Sequence, residues 1–244
     1  MLAMRIINLF ALLIVCEFSN ASRWSPAVTN ADLIKHLKRR GVLKSERVEN
    51  VMSLVDRANY SKYNPYEDRP QSIGFGATIS APHMHAIALE LLKDHLYNGS
   101  KALDIGSGSG YLTACMALMV APNGKVIGID HIPGLVRQSI KNIEKDQPEL
   151  FKSGVIRMVV GDGRLGYLPE AKYDAIHVGA AAPKLPKHLV DQLKVGGRLI
   201  IPIGREGGIQ TLYQIDKITN ETIERTPLHG VAFVPLTDKE SQVA

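Results

Sequence analysis

The clearest indication of the fold is the stretch Leu103-Asp104-Ile105-Gly106-Ser107-Gly108-Ser109-Gly110. Its apolar beginning predicts a buried strand, and its glycines predict a tight turn before a helix at residues 111–119. Glycine lets the backbone approach a ligand closely, where any Cβ would collide. In open α/β sheets, ligands bind outside the carboxyl ends of the strands, at turns of this kind. The stretch therefore predicts a ligand site, with a tight turn that binds nothing as the alternative.

Strand and helix patterns alternate on both sides of this turn. Strands are predicted at residues 101–105, 125–129, 155–160, 173–178 and 197–203, with further β-character at 209–216 and 231–236. Helices are predicted at 31–40, 46–57, 82–97, 111–119 and 134–145, and the glycine-rich residues 73–80 are expected to be irregular. This alternation predicts an α/β fold, with a mostly parallel sheet, helices on both faces and an antiparallel edge, preceded by N-terminal helices.

The beginning of the chain resembles a signal peptide. Arg5 precedes an apolar run at residues 6–15, and small residues follow at 19–21. The run is too short to span a membrane, and an uncleaved anchor or a mispredicted start codon are the alternatives. We therefore expect a leader at residues 1–21 and a single domain at 22–244, made of N-terminal helices (30–97) and an α/β core (100–244). No other segment is long and apolar enough to cross a membrane.

The composition of the 244 residues is typical of an ordinary globular protein. Hydrophobic residues make up 45% and charged residues 22%, enough for a full core. The formal net charge of +5 is mild, and no run of five basic residues occurs, so nucleic acid is not an expected partner. The two cysteines, Cys16 and Cys115, cannot form a disulfide framework. His83 and His85 lack further ligands at metal-binding spacing, so no metal is predicted.

The glycine spacing distinguishes between three classes of ligand. A dinucleotide site favours G-x-G-x-x-G, but Gly106, Gly108 and Gly110 place the third glycine one position early. A phosphate loop requires G-K-S/T, which is absent here. Asp104 would also repel a pyrophosphate. An acidic residue and a G-x-G-x-G turn suit a ligand with a cationic amino-acid end, such as S-adenosylmethionine.

Acidic residues also end the next two strands. Asp130 is positioned to accept hydrogen bonds from both hydroxyls of a ribose, with an Asx turn or helix N-cap as the alternative. Asp162 is positioned to meet the exocyclic amine of an adenine. Three acidic residues at successive strand ends therefore favour a bound cofactor over a simple turn.

Beyond this loop, the chain resembles the protein-L-isoaspartate (D-aspartate) O-methyltransferases over residues 31–242. The motifs that carry the resemblance are Asn64-Pro65-Tyr66, Gln71 to Phe75, Ala77-Thr78-Ile79-Ser80-Ala81-Pro82-His83-Met84-His85, Ala102 to Gly110, Val126 to His131, Val160 to Arg164, Tyr173 to Ala181 and Val234 to Thr237. The segments at 78–85 and 174–181 are specific to that family, whereas the glycine loop is shared by methyltransferases in general.

The resemblance implies a class I S-adenosylmethionine-dependent methyltransferase with a Rossmann-like fold. Its expected substrates are damaged proteins that contain isoaspartyl residues, and the product formed from the cofactor is S-adenosylhomocysteine. The protein is expected to be a monomer in the cytoplasm, with the secretory pathway as the alternative location. The resemblance assigns cofactor contacts to Ala77, Thr78, Ile79, Ser80, His85, Ser109, Asp130, His131, Asp162, Gly163, Thr237 and Gln242. The sequence pattern adds Asp104, Gly106, Gly108 and Gly110.

The family's active-site serine corresponds to Ser80. An isoaspartyl carboxylate is ionised at neutral pH, so methylation requires no general base, and we expect Ser80 to donate a hydrogen bond that orients the carboxylate. The alternative is a helix N-cap ahead of Pro82. We expect the extended residues 231–236 to pair with the substrate backbone. The pairs Asn98-Gly99 and Asn123-Gly124 are of the kind that forms isoaspartate, so the protein is itself a candidate substrate.

Two departures from the family pattern leave other functions open. Gly76 stands where close relatives carry a larger polar residue, and the tail ends Ser241-Gln242-Val243-Ala244 without the family's usual terminal tryptophan. The alternatives are a methyltransferase that acts on RNA or a small molecule, and a catalytically inactive relative that uses the fold as a binding module.

Overall fold

The computed structural model describes residues 27–243. The predicted leader at residues 1–21 lies outside this described part of the chain. Across residues 27–243, no helix combines the length and apolar character needed to cross a membrane.

The described residues form helices and strands in an alternating order. The helices are α1 Asn30–Arg39, α2 Glu46–Leu54, α3 Pro82–Leu92, α4 Tyr111–Val120, α5 Pro133–Asp146, α6 Glu149–Lys152, α7 Lys187–Gln192 and α8 Lys239–Val243. The strands are β1 Gln71–Gly74, β2 Ala77–Ile79, β3 Lys101–Ile105, β4 Lys125–Asp130, β5 Ile156–Val160, β6 Tyr173–Val178, β7 Leu193–Ile203, β8 Gln210–Lys217 and β9 Ile223–Val231.

A seven-stranded sheet in the order β5-β4-β3-β6-β7-β8-β9 forms the centre of the molecule. Neighbouring strands from β5 to β7 run parallel, and β8 and β9 add an antiparallel edge, as the sequence predicted. The chain leaves β3 toward β4 and β5, then returns to β6 on the other side of β3. The strand order therefore reverses at β3, which is the place where sheets of this kind bind ligands.

The central strands are mostly apolar because both faces of the sheet are covered. Ala102 of β3 packs with α1 to α4 on one face, while Leu103 packs with Leu189 of α7 on the other. Successive side chains of a strand point to opposite faces, so each strand contributes to both cores. This double burial fixes the carboxyl ends of β3, β4 and β6 relative to one another.

The N-terminal helices begin at polar caps. The Thr29 side chain accepts a hydrogen bond from the Asp32 amide while the Asp32 carboxylate accepts one from the Thr29 amide, which completes a capping box at α1. Ser45 caps α2 in the same way, through the Val48 amide. Helices α2 and α3 end earlier than predicted, at Leu54 and Leu92, and short turns replace the predicted last turns.

The glycine-rich residues 73–80 are a β-hairpin, so the expectation of an irregular segment was wrong. Strands β1 and β2 pair antiparallel, with Gly74 opposite Ala77. The two residues of the turn, Phe75 and Gly76, both have positive φ, at 54° and 67°. Positive φ at both positions matches the twist of a tight hairpin, but a phenylalanine rarely adopts it, and the sequence pattern therefore does not signal this turn.

Residues 223–231 form the edge strand β9, which the sequence did not predict, and residues 232–236 continue as an extended segment outside the regular sheet. Pro227 and Gly230 lie within β9 and weaken its strand pattern. An edge strand tolerates proline because one side of its backbone has no ladder partner. The predicted β-character at 231–236 is limited to an isolated bridge between Pro235 and Ala181.

Candidate active site

The glycine turn lies across the ends of three parallel strands. The amides of Gly106 and Ser107 both donate to the Ile129 carbonyl at the end of β4, at 2.9 and 3.1 Å. The Gly179 amide, after β6, donates to the Ile105 carbonyl at 2.8 Å. Gly106 and Gly108 have φ of 70° and 50°, so the turn has the left-handed backbone that the sequence required of glycine.

Asp130 holds this turn in place from β4. One carboxylate oxygen accepts the Gly108 amide at 3.1 Å, and the other accepts the Ile132 amide at 3.0 Å, which is the predicted Asx turn. A carboxylate offers about four acceptor positions, so two are left for the hydroxyls of a ribose. Burial raises the pKa of Asp130 above its usual value, and the two amide hydrogen bonds oppose that rise. The turn and the cofactor contact are therefore compatible.

Asp104 is buried beneath the turn and is bonded within the protein. Its Oδ2 accepts the Thr113 hydroxyl at 2.6 Å, and its Oδ1 lies 2.8 Å from Nδ1 of His177. Asp104 still borders a small cavity, together with Gly106 to Ser109 and Ser80. Its attraction for a cationic ligand end stays a prediction, and it would act across that cavity.

Asp162 lies apart from the cavities, because Arg164 holds its side chain. The Arg164 guanidinium donates to both carboxylate oxygens at 2.7–3.0 Å, and these hydrogen bonds lower the pKa of Asp162. Gly163, the next residue, does border the main cavity. The contact between Asp162 and an adenine amine stays a prediction, and it would use lone pairs that Arg164 leaves open.

Gly110 has a structural role at the start of α4. It is the N-cap of that helix, with φ of 85°. A Cβ at this position would lie 2.9 Å from Ile143 Cδ1 and 3.0 Å from Ser139 Cβ, so only glycine allows α5 to pack here. Gly110 borders none of the cavities described here, and its role as a cofactor contact stays a prediction.

A cavity opens over the carboxyl ends of β3 and β4 and is called the main cavity, because most of the predicted cofactor residues border it. These are Ala77, Thr78, Gly106, Gly108, Asp130, His131, Gly163, Thr237 and Gln242. The remaining predicted residues, apart from Gly110 and Asp162, line a small adjoining cavity. These are Ile79, Ser80, His85, Asp104 and Ser109.

A second opening forms a groove that contains Ser80 and is bordered by Met84 and by residues 232–235. Thr78 and Gly179 border both this groove and the main cavity. The two openings therefore meet at these residues. A group bound in the groove can approach a group bound in the cavity there, while the rest of each ligand stays in its own opening.

Ser80 does not cap α3, so that alternative is wrong. The N-cap of the helix is Ala81, and the His83 amide in the first turn donates to the Asp68 carboxylate, at 2.9 Å, and not to Ser80. The Ser80 carbonyl accepts a hydrogen bond from Nη2 of the buried Arg57 at 2.7 Å, which fixes the backbone at this position. The Ser80 hydroxyl is therefore available to a ligand in the groove.

Several residues around the two openings were missed by the sequence reasoning. They are Ile105, Ile129, Gly179, Ala180, Val234, Pro235 and Leu236 in the main cavity, and Arg57 and His177 beside Ser80. Gly179 follows β6 directly, so its place at a strand end was the available signal. Arg57 had no such signal, because the sequence gives only its place after α2 and not its contacts with the site.

The openings fit S-adenosylmethionine and show no sign of a metal site. The buried Ser107 hydroxyl, in the glycine turn, has no hydrogen-bond partner among residues 27–243, which leaves a polar group for a ligand. Within residues 27–243, no group of three or more His, Cys, Asp or Glu side chains could hold a metal ion. His83 lies 2.8 Å from the Asp68 carboxylate instead.

The reversal of strand order at β3, the open glycine turn and the carboxylate of Asp130 define a class I S-adenosylmethionine-dependent methyltransferase. The chain belongs to the protein-L-isoaspartate (D-aspartate) O-methyltransferase family, whose model matches residues 28–241.

Similar proteins come from distant organisms. A protein-L-isoaspartate O-methyltransferase of Caenorhabditis elegans is 51% identical over 218 residues, which is 89% of this chain and 96% of the relative. One from Triticum aestivum is 49% identical, over 88% of this chain and 94% of the relative. A crystal structure described as a protein-L-isoaspartate O-methyltransferase of Plasmodium falciparum, in complex with S-adenosyl-L-homocysteine, is 43% identical. It matches with a TM-score of 0.81 over 86% of this chain and 99% of that one.

Proposed function

We propose that this protein transfers a methyl group from S-adenosylmethionine to the free carboxylate of L-isoaspartyl residues in damaged proteins, which initiates their repair. D-aspartyl residues are a second substrate to be tested. The observation that carries the proposal is the meeting of the two openings at Thr78 and Gly179, with Ser80 in the groove. A cofactor in the cavity and a peptide in the groove can therefore react where the openings join.

The reaction is an in-line displacement. When bound, S-adenosylmethionine supplies a methyl group on a sulfonium, and a carboxylate oxygen bonds to that methyl as the carbon–sulfur bond breaks. The substrate carboxylate is already ionised at pH 7, so this chain removes no proton. The protein orients the two groups and removes water from them, and such positioning supplies up to about 7–11 kcal/mol in favourable systems.

Ser80 is the residue that we propose to orient the carboxylate. Its hydroxyl lies in the groove, and Arg57 holds its backbone through the 2.7 Å hydrogen bond to the Ser80 carbonyl. A hydroxyl that donates a hydrogen bond restricts the positions that a carboxylate oxygen can occupy, and it forms no covalent bond with the substrate. This hydrogen bond is strong while the carboxylate carries its charge, which is before methyl transfer. It therefore acts mainly on substrate binding and alignment.

Strand addition by the substrate along residues 231–236 is not part of this proposal. The Phe233 amide donates to Gln210 Oε1 at 2.7 Å, and Gln210 Nε2 donates to the Phe233 carbonyl at 3.1 Å. On the other side, Ala181 bonds the Val234 carbonyl and the Leu236 amide, both at 2.8 Å. These bonds occupy the Phe233 amide and carbonyl, the Val234 carbonyl and the Leu236 amide, so an added strand would have to use the other backbone groups of this segment.

The proposed partners are isoaspartyl proteins alone, and the proposed state is a cytoplasmic monomer. The mild net charge and the lack of a basic run support an enzyme without a nucleic-acid partner. The leader-like residues 1–21 leave the secretory pathway as the alternative. Three sequons, at Asn59, Asn98 and Asn220, distinguish the two. A glycosidase that changes the mobility of the native protein would place it in the secretory pathway.

The test is transfer of labelled methyl from S-adenosylmethionine to two synthetic peptides that differ only in a normal or an isoaspartyl linkage. Base-labile label on the isoaspartyl peptide alone is the expected result. Label on RNA or a small molecule instead would assign the site to another substrate class. Label on neither peptide, with S-adenosylhomocysteine still bound, would make the protein an inactive binding relative.

A further inference from the structure

Arg57 is a buried charge without an ion-pair partner. Its side chain is fully buried, and none of the carboxylates between residues 27 and 243 lies within ion-pair distance of it. Asp68 acts on it only from farther away, and Asp68 itself is bonded to Arg40 and His83. Burial lowers the pKa of Arg57 to about 10, so the guanidinium remains charged at neutral pH. A buried, unpaired charge is costly and needs an explanation.

The guanidinium makes three contacts, and all of them lead to the active site. Nη2 donates to the Ser80 carbonyl, Nη1 lies 3.2 Å from Nδ1 of His85, and the group lies 5.5 Å from the centre of the Tyr111 ring. Nε is buried and has no partner. Arg57 thus touches the backbone of one predicted site residue and the ring of another.

The contact with His85 determines where that ring carries its proton. A guanidinium has only donors, so Nδ1 of His85 must accept the hydrogen bond and cannot carry a proton. Burial, and then the charge of Arg57, lower the pKa of His85 well below its usual value, with smaller contributions from His177 and His83. The ring is therefore neutral, and its one proton is on Nε2.

The Nε2 atom of His85 is the part of the ring that is available to a ligand. His85 borders the small cavities that it shares with Ser80 and His177. Nε2 has no hydrogen-bond partner within the described part of the chain, whereas Nδ1 has one. On the opposite side, Nδ1 of His177 lies 2.8 Å from the Asp104 carboxylate, which can only accept, so that proton is on Nδ1. Both histidines thus use Nδ1 within the protein and present Nε2, and the Nε2 of His85 is a donor.

We propose that Arg57 is a positioning residue that holds His85 in the Nε2–H tautomer, so that His85 donates a hydrogen bond to a carboxylate bound beside Ser80. This inference rests on the proposed function, because that function supplies two carboxylates: the methionine carboxylate of the cofactor and the isoaspartyl carboxylate of the substrate. A carboxylate at this place would also lie near the positive charge of Arg57, which is on the other side of the His85 ring. The bound carboxylate would thus supply the negative charge that the buried guanidinium lacks.

The test uses two substitutions that separate the tautomer from the charge. Arg57→Lys keeps a side chain that only donates, so it keeps the tautomer. Arg57→Gln has an amide that can donate to Nδ1 or accept from it, so it releases the tautomer. Nitrogen-15 correlation spectra of histidine-labelled full-length protein report the tautomer of His85 without any turnover. The wild type and Arg57→Lys should show the proton on Nε2, and Arg57→Gln should show a mixture.

The kinetic arm identifies the carboxylate. Arg57→Gln should raise one KM by about tenfold or more, the size expected when a hydrogen bond to a charged group is lost, and change kcat less. A rise in the KM for S-adenosylmethionine assigns the cofactor carboxylate, and a rise in the KM for the isoaspartyl peptide assigns the substrate. His85→Gln retains a donor at the place of Nε2, so it should raise the same KM less than His85→Leu does. This second pair of variants tests the inference even if Arg57→Gln does not fold.

Two results would overturn the inference. One is a wild-type His85 that carries its proton on Nδ1 or on both nitrogens. The other is a released tautomer in Arg57→Gln with both KM values unchanged. A wild-type protein that has the expected tautomer and binds S-adenosylhomocysteine, but does not methylate the isoaspartyl peptide, would instead remove the proposed function and leave the tautomer established.

Discussion

Nε2 of His131 and Oε1 of Gln242 lie 2.6 Å apart, which links the end of β4 to the C-terminal helix α8. Nε2 of Gln242 also donates to the Phe75 carbonyl, at 2.9 Å, in the turn between β1 and β2. Both His131 and Gln242 border the main cavity. One amide side chain therefore joins three segments that are far apart in the sequence and closes the tail over the cofactor site.

Gln242→Ala should weaken cofactor binding more than turnover. The change removes both hydrogen bonds and releases α8 from the cavity, so we expect the KM for S-adenosylmethionine to rise by about threefold to tenfold, with kcat nearly unchanged. Initial rates and calorimetry with S-adenosylhomocysteine measure this. Gln147→Ala is the control, because its amide donates to the Leu54 carbonyl far from the site. Equal effects of the two changes would contradict the role of the tail.

Gly76→Ala should affect the same cavity through the backbone. Gly76 has φ of 67°, and a Cβ there would lie 2.9 Å from the Gln242 carbonyl oxygen, so the tail must move to accommodate it. Gly41→Ala is a matched control, because Gly41 has φ of 69° and nothing lies within 4 Å of its Cβ position. Both variants should lose about 1 kcal/mol of unfolding free energy from the backbone conformation.

The two glycine variants should differ in cofactor binding. Only Gly76→Ala is expected to raise the KM for S-adenosylmethionine, because only its Cβ displaces the tail. Thermal unfolding measures the shared loss of stability, and steady-state kinetics measure the difference. If Gly41→Ala raised that KM as much, the contact with Gln242 would not be the cause. Glycine at this position thus allows the tail to pack against the turn.

The central sheet could be predicted from the sequence because its strands are buried on both faces. Strands β3, β4 and β6 are mostly apolar, and the structure places their ends within a few residues of the predicted positions. The hairpin of β1 and β2 could not be predicted in the same way. Its turn depends on positive φ at Phe75, which tertiary packing imposes: the Phe75 ring lies against Gly134, where a Cβ would come within 2.5 Å of it.

The candidate site shows the same limit at the level of side chains. The position of Asp130 and Asp162 at strand ends follows from the sequence, but their partners do not. Asp130 remains open to the cavity, whereas Asp162 is held by Arg164, two residues farther along. The contacts of Arg57 with Ser80 and His85 span 23 and 28 residues, and no local pattern predicts contacts at that separation.

Glu90→Ala should be one of the more destabilising single changes outside the site. The Glu90 carboxylate accepts the amides of Lys44 and Ser45, each at 2.7 Å, and thereby joins the start of α2 to α3. Its side chain is 8% exposed. Removing it leaves two amides without an acceptor, at a cost of about 1–3 kcal/mol. Chemical denaturation measures this, and Glu144→Ala, at an exposed helix position, should change stability by less than about 0.5 kcal/mol.

The effect of Glu90 should disappear in acid. Burial opposes ionisation of this carboxyl, but hydrogen bonds from Ser45, Lys44 and Lys93 outweigh it and lower its pKa below the usual 4.5. A lowered pKa in the folded state means that the stabilisation is complete above 4.5 and is lost as pH falls through the folded value. The stability difference between wild type and Glu90→Ala should therefore be constant near neutral pH and shrink below pH 4.5. A difference that grew in acid would contradict this assignment.

The two Asn-Gly pairs should resist isoaspartate formation while the protein is folded. Formation requires the glycine nitrogen to attack the side chain of the preceding asparagine. The amides of Gly99 and Gly124 both donate to the Val120 carbonyl, at 3.1 and 2.9 Å, and the Asn98 side chain accepts the amide of Asn123. We expect native protein to accumulate isoaspartate about tenfold more slowly than short peptides with the same sequences, because attack requires local opening. Methyl uptake by aged native protein at the rate of the peptides would show that the protein is its own substrate without unfolding.

Ser80→Ala and Ser107→Ala should separate the two halves of the reaction. The Ser80 hydroxyl lies in the groove, whereas the Ser107 hydroxyl is buried in the glycine turn without a protein partner. Ser80→Ala should therefore lower kcat/KM for the isoaspartyl peptide by about 10-fold to 100-fold and weaken the binding of S-adenosylhomocysteine less, although Ser80 is also a predicted cofactor contact. Ser107→Ala should weaken that binding and affect the peptide less.

Both variants remove one hydroxyl near the same cavity, so each serves as the control for the other. Calorimetry with S-adenosylhomocysteine and initial rates at varied peptide concentration give the two quantities separately. Model carboxyls have pKa values near 4, so the substrate carboxylate is ionised throughout the range from pH 6 to 8. The loss of kcat/KM in Ser80→Ala should therefore be the same across that range. A loss that varied strongly across that range would mean that Ser80 takes part in proton transfer, and the proposed role of Ser80 as an orienting donor would then be wrong.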